Sequence, residues 1–474
     1  MKSSKILLFF TCVVAMLALC CAAMPANGLA IGNLTLRLPR LQKILHPEKE
    51  LSAQELMEEE NLEANNNQNE ELLAYQKWVE NSNCRFWFPN DDLHFFDPVF
   101  QKMETAKKKG RYVRVMHYGD SQIEMDRISN RLRTQLQKRF GGGGPGMVPL
   151  QTIIPTFSIS TWSADSLQRY APFGDSLVMR SHGHYGPMVQ CFRVNGSTAS
   201  TFRATRQTSA DSKLKSFQRI GALCSHHPGN VTPRLSVRKP NGVTIPEPIS
   251  SEHGIVHLTE WRLDTAVSQV QLSFSGSGDI YGILLDGTPG VAVDNIPMRG
   301  CSGQQFVQID SSLLAASYAQ LDVALIILQF GGNSVPYIRN EKALNTYCKS
   351  IGRQIDRVYH CCPEAKILFI GPSDMSTRVN GETQSYPYLE TIIERLRKTA
   401  NAHGAAYWSI YHAMGGHNSM KAWSRDGLAG SDGVHFSQEG ADLMGDKLAE
   451  SLIKMYEYYG LLKTSLKKTK SEKK

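Results

Sequence analysis

The chain is short of the residues that would build a disulfide scaffold. Three of its ten cysteines, Cys12, Cys20 and Cys21, fall in the first 23 residues. The others, Cys84, Cys191, Cys224, Cys301, Cys348, Cys361 and Cys362, are an odd number scattered along a long chain. That excludes a disulfide-built domain, and no spacing among them is that of a zinc site. Cys191 with Cys224, and Cys348 with Cys361 or Cys362, remain open as pairs. Long apolar runs are scarce too. Only Ile6–Ala23 is apolar for long enough to matter, which excludes a multi-span membrane protein. A hydrophobic content of 41% with 20% charged residues excludes a collagen, a coiled-coil rod and a wholly disordered chain. A large charge excess of one sign is also missing. The net +8 is uneven: residues 463–474 hold six Lys and one Glu, and residues 48–71 hold nine Glu and one Lys. A pI near 8.9 therefore reports patches, and no nucleic acid partner is expected.

What is present begins with an address. Lys2 and Lys5 precede the apolar run, and Ala22, Ala23 and 26–28 supply small residues for cleavage. This is the n-region and h-region of a secretory signal over residues 1–28. The alternative is an uncleaved anchor associated with a membrane, since such a run just spans a bilayer. Leu19 is bulky where a lipoprotein needs a small residue before Cys20, which disfavours lipidation. Either route exports the protein to the periplasm or cell envelope.

A length of 474 residues leaves room for two or three domains. Residues 29–84 read as a polar, acidic tether. Over 85–150 a helix is expected at Leu93–Ala106, a strand at Arg111–Tyr118 and a helix at Glu124–Phe140, the start of an α/β unit. Between 151 and 285 the texture changes to short alternating runs such as Ser176–Met179, Gln190–Val194, Arg234–Val237 and Val270–Phe274, which predict an inserted all-β sandwich. From 286 to 460 the α/β pattern resumes. Strands are expected at Val323–Leu328, Lys366–Ile370 and Ala406–Ile410, with helices at 338–359, 386–402 and 438–458. Residues 461–474 form a basic tail.

The sharpest local signal is Gly119-Asp120-Ser121, after a strand and before a helix. A serine there stands at the carboxyl edge of a parallel sheet, beside a helix N-terminus. Gly174-Asp175-Ser176 has the same letters but no helix after it. A serine hydroxyl needs a base, and Asp432-Gly433-Val434-His435 offers an imidazole with a carboxylate three residues away to hold its tautomer. Gly331-Gly332-Asn333 and Met298-Arg299-Gly300 offer donors for an oxyanion: the Asn333 amide and the Gly300 N–H.

Ser121, Gly300, Asn333, Asp432 and His435 stand in the block order of the SGNH/GDSL hydrolases, and the sequence resembles that superfamily over roughly 85–150 and 286–460. The elbow motif G-x-S-x-G of ordinary α/β-hydrolases is absent. His117-Tyr118-Gly119-Asp120-Ser121-Gln122, with a long insertion after it, resembles the two-domain bacterial peptidoglycan O-acetylesterases. The resemblance implies a flavodoxin-like three-layer α/β fold with a parallel sheet, interrupted by a carbohydrate-binding-like β domain. It implies Ser121 as nucleophile, His435 as base and Asp432 as its orienter, with an oxyanion hole from Ser121, Gly300 and Asn333. It implies a serine esterase that removes O-acetyl groups from a glycan, above all peptidoglycan, with no cofactor and no metal. Alternatives are a deacetylase of xylan or a sialylated host glycan, an acetyl transferase, or a non-catalytic glycan-binding wall protein. Ser334 stands where many relatives carry an acid after the Asn.

Other signals are weaker. Gly141–Gly146 fits G-x-G-x-x-G but follows a helix, so a dinucleotide site is not expected. His182, His184, His226 and His227 read as solvated loop histidines. Tyr411, His412, His417 and Asn418 either line the cleft or pack beneath it. Trp162, Tyr170, Phe173 and Tyr185 of the insertion are candidate sugar platforms or core.

Overall fold

The structure is a computed structural model and describes residues 3–23, 29–31, 34–36, 67, 69–163, 167–174, 183–226, 229–239, 242–244 and 246–471. It divides into two units, Met1–Glu71 and Leu72–Lys474. In the first, Ser3–Ala23 is one helix, long and apolar enough by composition to cross a membrane. Leu29–Ile31 and Leu34–Leu36 pair antiparallel. The cleavage candidates at 26–28, most of the acidic stretch, Asp175 with Ser176 and the rest of the expected strand to Met179, and residues 472–474 lie outside the described residues.

The second unit is built on a six-stranded sheet. Its strands are β1 (Phe86–Trp87), β2 (Tyr112–Gly119), β3 (Gly290–Pro297), β4 (Val323–Gln329), β5 (Lys366–Ile370) and β6 (Ala406–Trp408), in the spatial order β3-β2-β4-β5-β6-β1. All neighbours are parallel except β1, which pairs antiparallel with β6 at the edge. Without β1, this is the flavodoxin-like order, whose direction of winding reverses between β2 and β4. The apolar runs of β2, β4 and β5 bury both faces. Met116, Ile326 and Phe369 point into one core, Val115, Ile327 and Leu368 into the other.

Helices cover each face. Asp97–Ala106 (α1), Ser129–Phe140 (α2) and the long Gln438–Ser471 (α6) carry Met103, Leu136 and Leu448 to one core. Ser311–Ala319 (α3), Glu341–Cys361 (α4) and Leu389–Ala402 (α5) carry Leu313, Ile355 and Leu396 to the other. Several boundaries differ from the sequence reading, two of them most. α6 runs on to Ser471, well past the expected 458, through Lys- and Leu-rich sequence that favours helix. α2 begins at Ser129 rather than Glu124, because Met125, Asp126 and Ile128 take left-handed backbone angles that no helix can include. Asp126 is held there by a buried, two-bond pair with Arg133, at 2.6 and 3.0 Å. All the described cysteines are free thiols, so neither pair left open is formed.

The insertion is a single ten-stranded antiparallel sheet organised about the 18-residue strand Gln269–Asp286. The first half of that strand pairs with Cys191–Ala204 and Asn230–Lys239, and the second half with Phe217–Ser225 and Gly146–Val148. A register break at Ile280/Gly282 separates the halves. Alternation divides the side chains. Ile283, Leu285, Ala222 and Trp261 face the insertion's own core, whereas Leu284, Leu223 and Leu258 join the core of the hydrolase-side helices. Tyr170, Phe173 and Tyr185 are buried, and only Trp162 is exposed, beneath the Arg203 guanidinium.

The insertion leaves and returns at one seam. The glycine run 141–146 threads against β3: a side chain on Gly142 would meet the Val291 carbonyl at 2.2 Å, and one on Gly144 the Leu285 carbonyl at 2.3 Å. The run is thus a close-approach device. Beside it, fully buried Arg114 of β2 donates to Asp294 of β3 (2.9 and 2.5 Å) and to Asp286, the last residue of the long strand (2.9 Å). Arg219 of the insertion shares Asp286 at 2.8 Å and pairs with Glu260. Burial alone would lower the Arg114 pKa, but the two carboxylates hold it above the ordinary arginine value. Replacing Arg114→Met leaves two buried carboxylates short of a partner. It is expected to cost about 3–5 kcal/mol, read as a fall in the urea midpoint.

Candidate active site

β2 ends at Gly119 and the chain turns at once into a 3₁₀ turn, Ser121–Asp126, capped by Asp120, whose Oδ1 accepts the Gln122 N–H at 3.0 Å. Ser121 therefore stands at the carboxyl edge of the sheet, where the winding reverses. Gly331–Asn333 leaves β4 on the other side of that point. Asp432 and His435 arrive from the loop before α6. Asp432 Oδ1 accepts the N–H groups of Val434 (2.9 Å) and His435 (3.0 Å), and Oδ2 lies 2.7 Å from His435 Nδ1. With Nδ1–H donating its hydrogen bond to that carboxylate, Nε2 is the acceptor, and it lies 2.8 Å from Ser121 Oγ. Burial tends to raise Asp432, but the bonds from the His435 ring and the two backbone N–H groups outweigh it and keep its carboxyl below the usual range.

Two side chains absent from the sequence-derived site lock these loops together. Gln122 donates to the Val434 carbonyl (2.6 Å) and accepts the Phe436 N–H (3.3 Å). Arg127 donates to the carbonyls of Ser121 (2.6 Å), Phe436 (2.9 Å) and Glu124 (3.1 Å). Glu124 in turn takes a two-pronged bond from Arg299, which fixes the loop bearing Gly300. No local pattern marks these residues; their partners are far away in sequence.

Gly300 has a left-handed φ of 75°, and its N–H has no hydrogen-bond partner among the described residues. The Ser121 N–H, first in its turn, is an orphan donor by position. Asn333 Nδ2 donates to the Cys301 carbonyl (3.0 Å) and to Asp120 Oδ2 (3.3 Å), so one of these bonds must be released before the amide serves a ligand. Ser121, Gly300, Asn333 and His435 line one cleft of about 760 Å³. An apolar cavity of about 660 Å³ at the seam with the insertion shares its Glu124, Met125, Arg299 and Gly300 wall. Tyr411, His412, His417 and Asn418 do not line the cleft. They brace it from behind: Tyr411 on Glu390 (2.7 Å), His412 on Ser409 (2.7 Å), His417 near Glu390 (3.5 Å), and Asn418 on the Ser385 N–H (3.0 Å). His226 sits 3.5 Å from Glu252 on the insertion, while His182 and His227 lie outside the described residues.

Among known proteins, the GDSL-like Lipase/Acylhydrolase family matches residues 268–443. That span holds Gly300, Asn333, Asp432 and His435; Ser121 lies outside it, beyond the insertion. A solved structure described as a peptidoglycan O-acetylesterase in action is 21% identical, with a TM-score of 0.58 over 76% of this chain and 96% of that one. A family two carbohydrate esterase from Cellvibrio japonicus (12% identity, TM-score 0.25, 64% and 99% covered) and the periplasmic domain of a lipopolysaccharide acetyltransferase from Salmonella ser. Paratyphi A (13%, 0.24, 34% and 73%) match far more loosely. No curated protein matches. The chain has the SGNH-hydrolase fold with an additional antiparallel-sheet domain, and it resembles the two-domain peptidoglycan O-acetylesterases.

Charge inside the site is costly. Burial raises the Asp120 carboxyl to about 6, against the opposing bond from the Gln122 N–H and the nearby His435 and Arg127. An acid whose pKa is higher folded than unfolded binds more protons in the native state. Its charge therefore weakens the fold as pH rises from about 4 through 6. Asp120→Asn removes that penalty. The stability of the variant minus that of the parent should grow by about 1–3 kcal/mol between pH 4 and pH 7.5, then level off. Chemical denaturation of both proteins across that range measures it.

Proposed function

We propose that this protein is an exported serine esterase that removes O-acetyl groups from a glycan, peptidoglycan foremost. The observation that carries the reading is the unbroken relay Asp432–His435–Ser121, at 2.7 and 2.8 Å, beside two unpartnered N–H groups in one cleft. Ser121 Oγ attacks the acetyl carbonyl carbon while its proton passes to His435 Nε2. The oxyanion takes the N–H groups of Ser121 and Gly300, joined by the Asn333 amide once it leaves Asp120 or Cys301. His435 then returns the proton to the departing sugar oxygen, leaving acetyl-Ser121. Water, deprotonated by His435, attacks the acetyl carbon, and His435 returns that proton to Ser121 Oγ as the acyl–oxygen bond breaks and acetate leaves. Asp432 keeps the imidazole in the tautomer both steps need. The apolar N-terminal helix supports export, and the architecture shared with the O-acetylesterase supports the glycan.

Acetate release from a panel of acetylated glycans, O-acetylated peptidoglycan among them, tests the reading. Ser121→Ala should abolish release from every active substrate, and Asn333→Ala should lower kcat by about 10²–10³-fold with little change in KM. Release that survives in Ser121→Ala would refute the assignment. So would a wild-type enzyme that binds glycan and frees no acetate, which would be the non-catalytic wall protein instead.

A further inference from the structure

Given that reading, the polymer has to be held somewhere while a small acetyl group enters the cleft. The insertion is the expected holder, yet three of its four candidate aromatic platforms are core residues. The hydrolase body carries a better one. The 3₁₀ turn Gly332–Tyr337 continues directly from the Asn333 loop, and buried Val335 and Ile338 anchor it on both sides of Tyr337. Tyr337 itself is 81% exposed, the most exposed of the large hydrophobic side chains among the described residues, and its hydroxyl has no partner among them. An anchored backbone that presents a bare aromatic face to solvent costs apolar hydration, and nothing within the fold recovers that cost.

Tyr337 stands between two depressions. On one side is the Ser121 cleft. On the other is a shallow groove of about 640 Å³ along the N-terminal turn of α4, and Gly300, Asn333 and Tyr337 border both. The groove is polar beyond the ring, with Ser302, Gln304, Asn340, Lys342 and Thr346 along it. The Gln304 and Lys342 side chains have no partner among the described residues. An aromatic face with amide, hydroxyl and ammonium groups around it is the complement of a pyranose. A sugar ring offers an apolar C–H face to stack and equatorial hydroxyls and acetamido groups to bond. The seam cavity on the insertion side also holds amides and hydroxyls, but its one aromatic ring, Phe173, is buried beneath the Arg169 guanidinium and offers no open face.

We propose that the groove beyond Tyr337 is the glycan track: a pyranose neighbouring the acetylated sugar stacks on Tyr337, and the chain runs over the N-terminus of α4, away from the insertion.

The test separates holding from hydrolysis. In the Ser121→Ala background, binding of N-acetylglucosamine tetramer is measured by calorimetry for the parent, Tyr337→Ala, Tyr337→Trp and, on the insertion, Trp162→Ala. Tyr337→Ala is expected to weaken binding about tenfold, the size of one lost aromatic contact, Tyr337→Trp to retain it, and Trp162→Ala to leave it within about twofold. With Ser121 restored, the ratio of kcat/KM on O-acetylated peptidoglycan to that on 4-nitrophenyl acetate should fall about tenfold in Tyr337→Ala, mostly through KM. Parent-like affinity in Tyr337→Ala overturns the proposal, as does absence of saturable binding by the parent, or a loss confined to Trp162→Ala. If no acetylated glycan is hydrolysed while tetramer binding still depends on Tyr337, the esterase reading falls and the groove stands.

Discussion

Arg114 has no exposed surface, and its buried charge is matched by Asp286 and Asp294, which stand against it. That cluster is the point on which the architecture turns. It ties β2, the strand that delivers Ser121, to β3, the strand that delivers Gly300, and to the last residue of the inserted sheet. Asp294 Oδ1 also accepts the Met147 N–H at 2.7 Å, so the outgoing chain is fixed by the same carboxylate as the returning one. Buried charges of this kind rarely add much stability over an apolar substitute, but breaking one is expensive, because its partners are left charged and dry. Their effect here is registry: an interruption of well over a hundred residues re-enters the sheet at one position.

The groups of the candidate site come from chain segments far apart, and ordinary loop freedom would let them drift. The drift is stopped by short side-chain staples rather than by secondary structure. Gln122 and Arg127 bond the serine turn to carbonyl and N–H groups on both sides of His435, and Glu124 bonds the same turn to Arg299 beside Gly300. The left-handed residues Met125, Asp126 and Ile128 are the local cost of aiming Gln122, Glu124 and Arg127 at three different partners. The Phe157 N–H of the insertion reaches the Met125 carbonyl at 3.1 Å, so the inserted sheet helps to hold that strained stretch.

This alters how the insertion is understood. One of its faces completes its own core, and the other, through Leu223, Leu258 and Leu284, is built into the hydrophobic core of the enzyme body. It is a wall of the same unit rather than a module on a linker. Its removal would strip those leucines from the shared core as well as free the seam.

The sequence by itself determined the layers and the place of the candidate site. Continuous apolar strands between amphipathic helices give a parallel sheet, short alternating runs give the antiparallel insertion, and a serine between strand and helix stands at the sheet's carboxyl edge whatever surrounds it. Asp432 and His435 were legible because a separation of three residues on one turn brings carboxylate and imidazole together locally. Other features were settled only by tertiary structure. The start of α2 moved because Asp126 answers Arg133 and Glu124 answers Arg299, pairings that helical periodicity does not record. Gln122 and Arg127 look like ordinary polar residues until Val434 and Phe436 are set beside them. Tyr170, Phe173 and Tyr185 are core while Tyr337 is bare, and no pattern in a single chain separates a buried aromatic from an exposed one on an irregular turn. Apart from the nearby Asp126–Arg133 pair, such distinctions depend on contacts between residues far apart in the chain, whereas periodicity and local spacing register only what lies within a few.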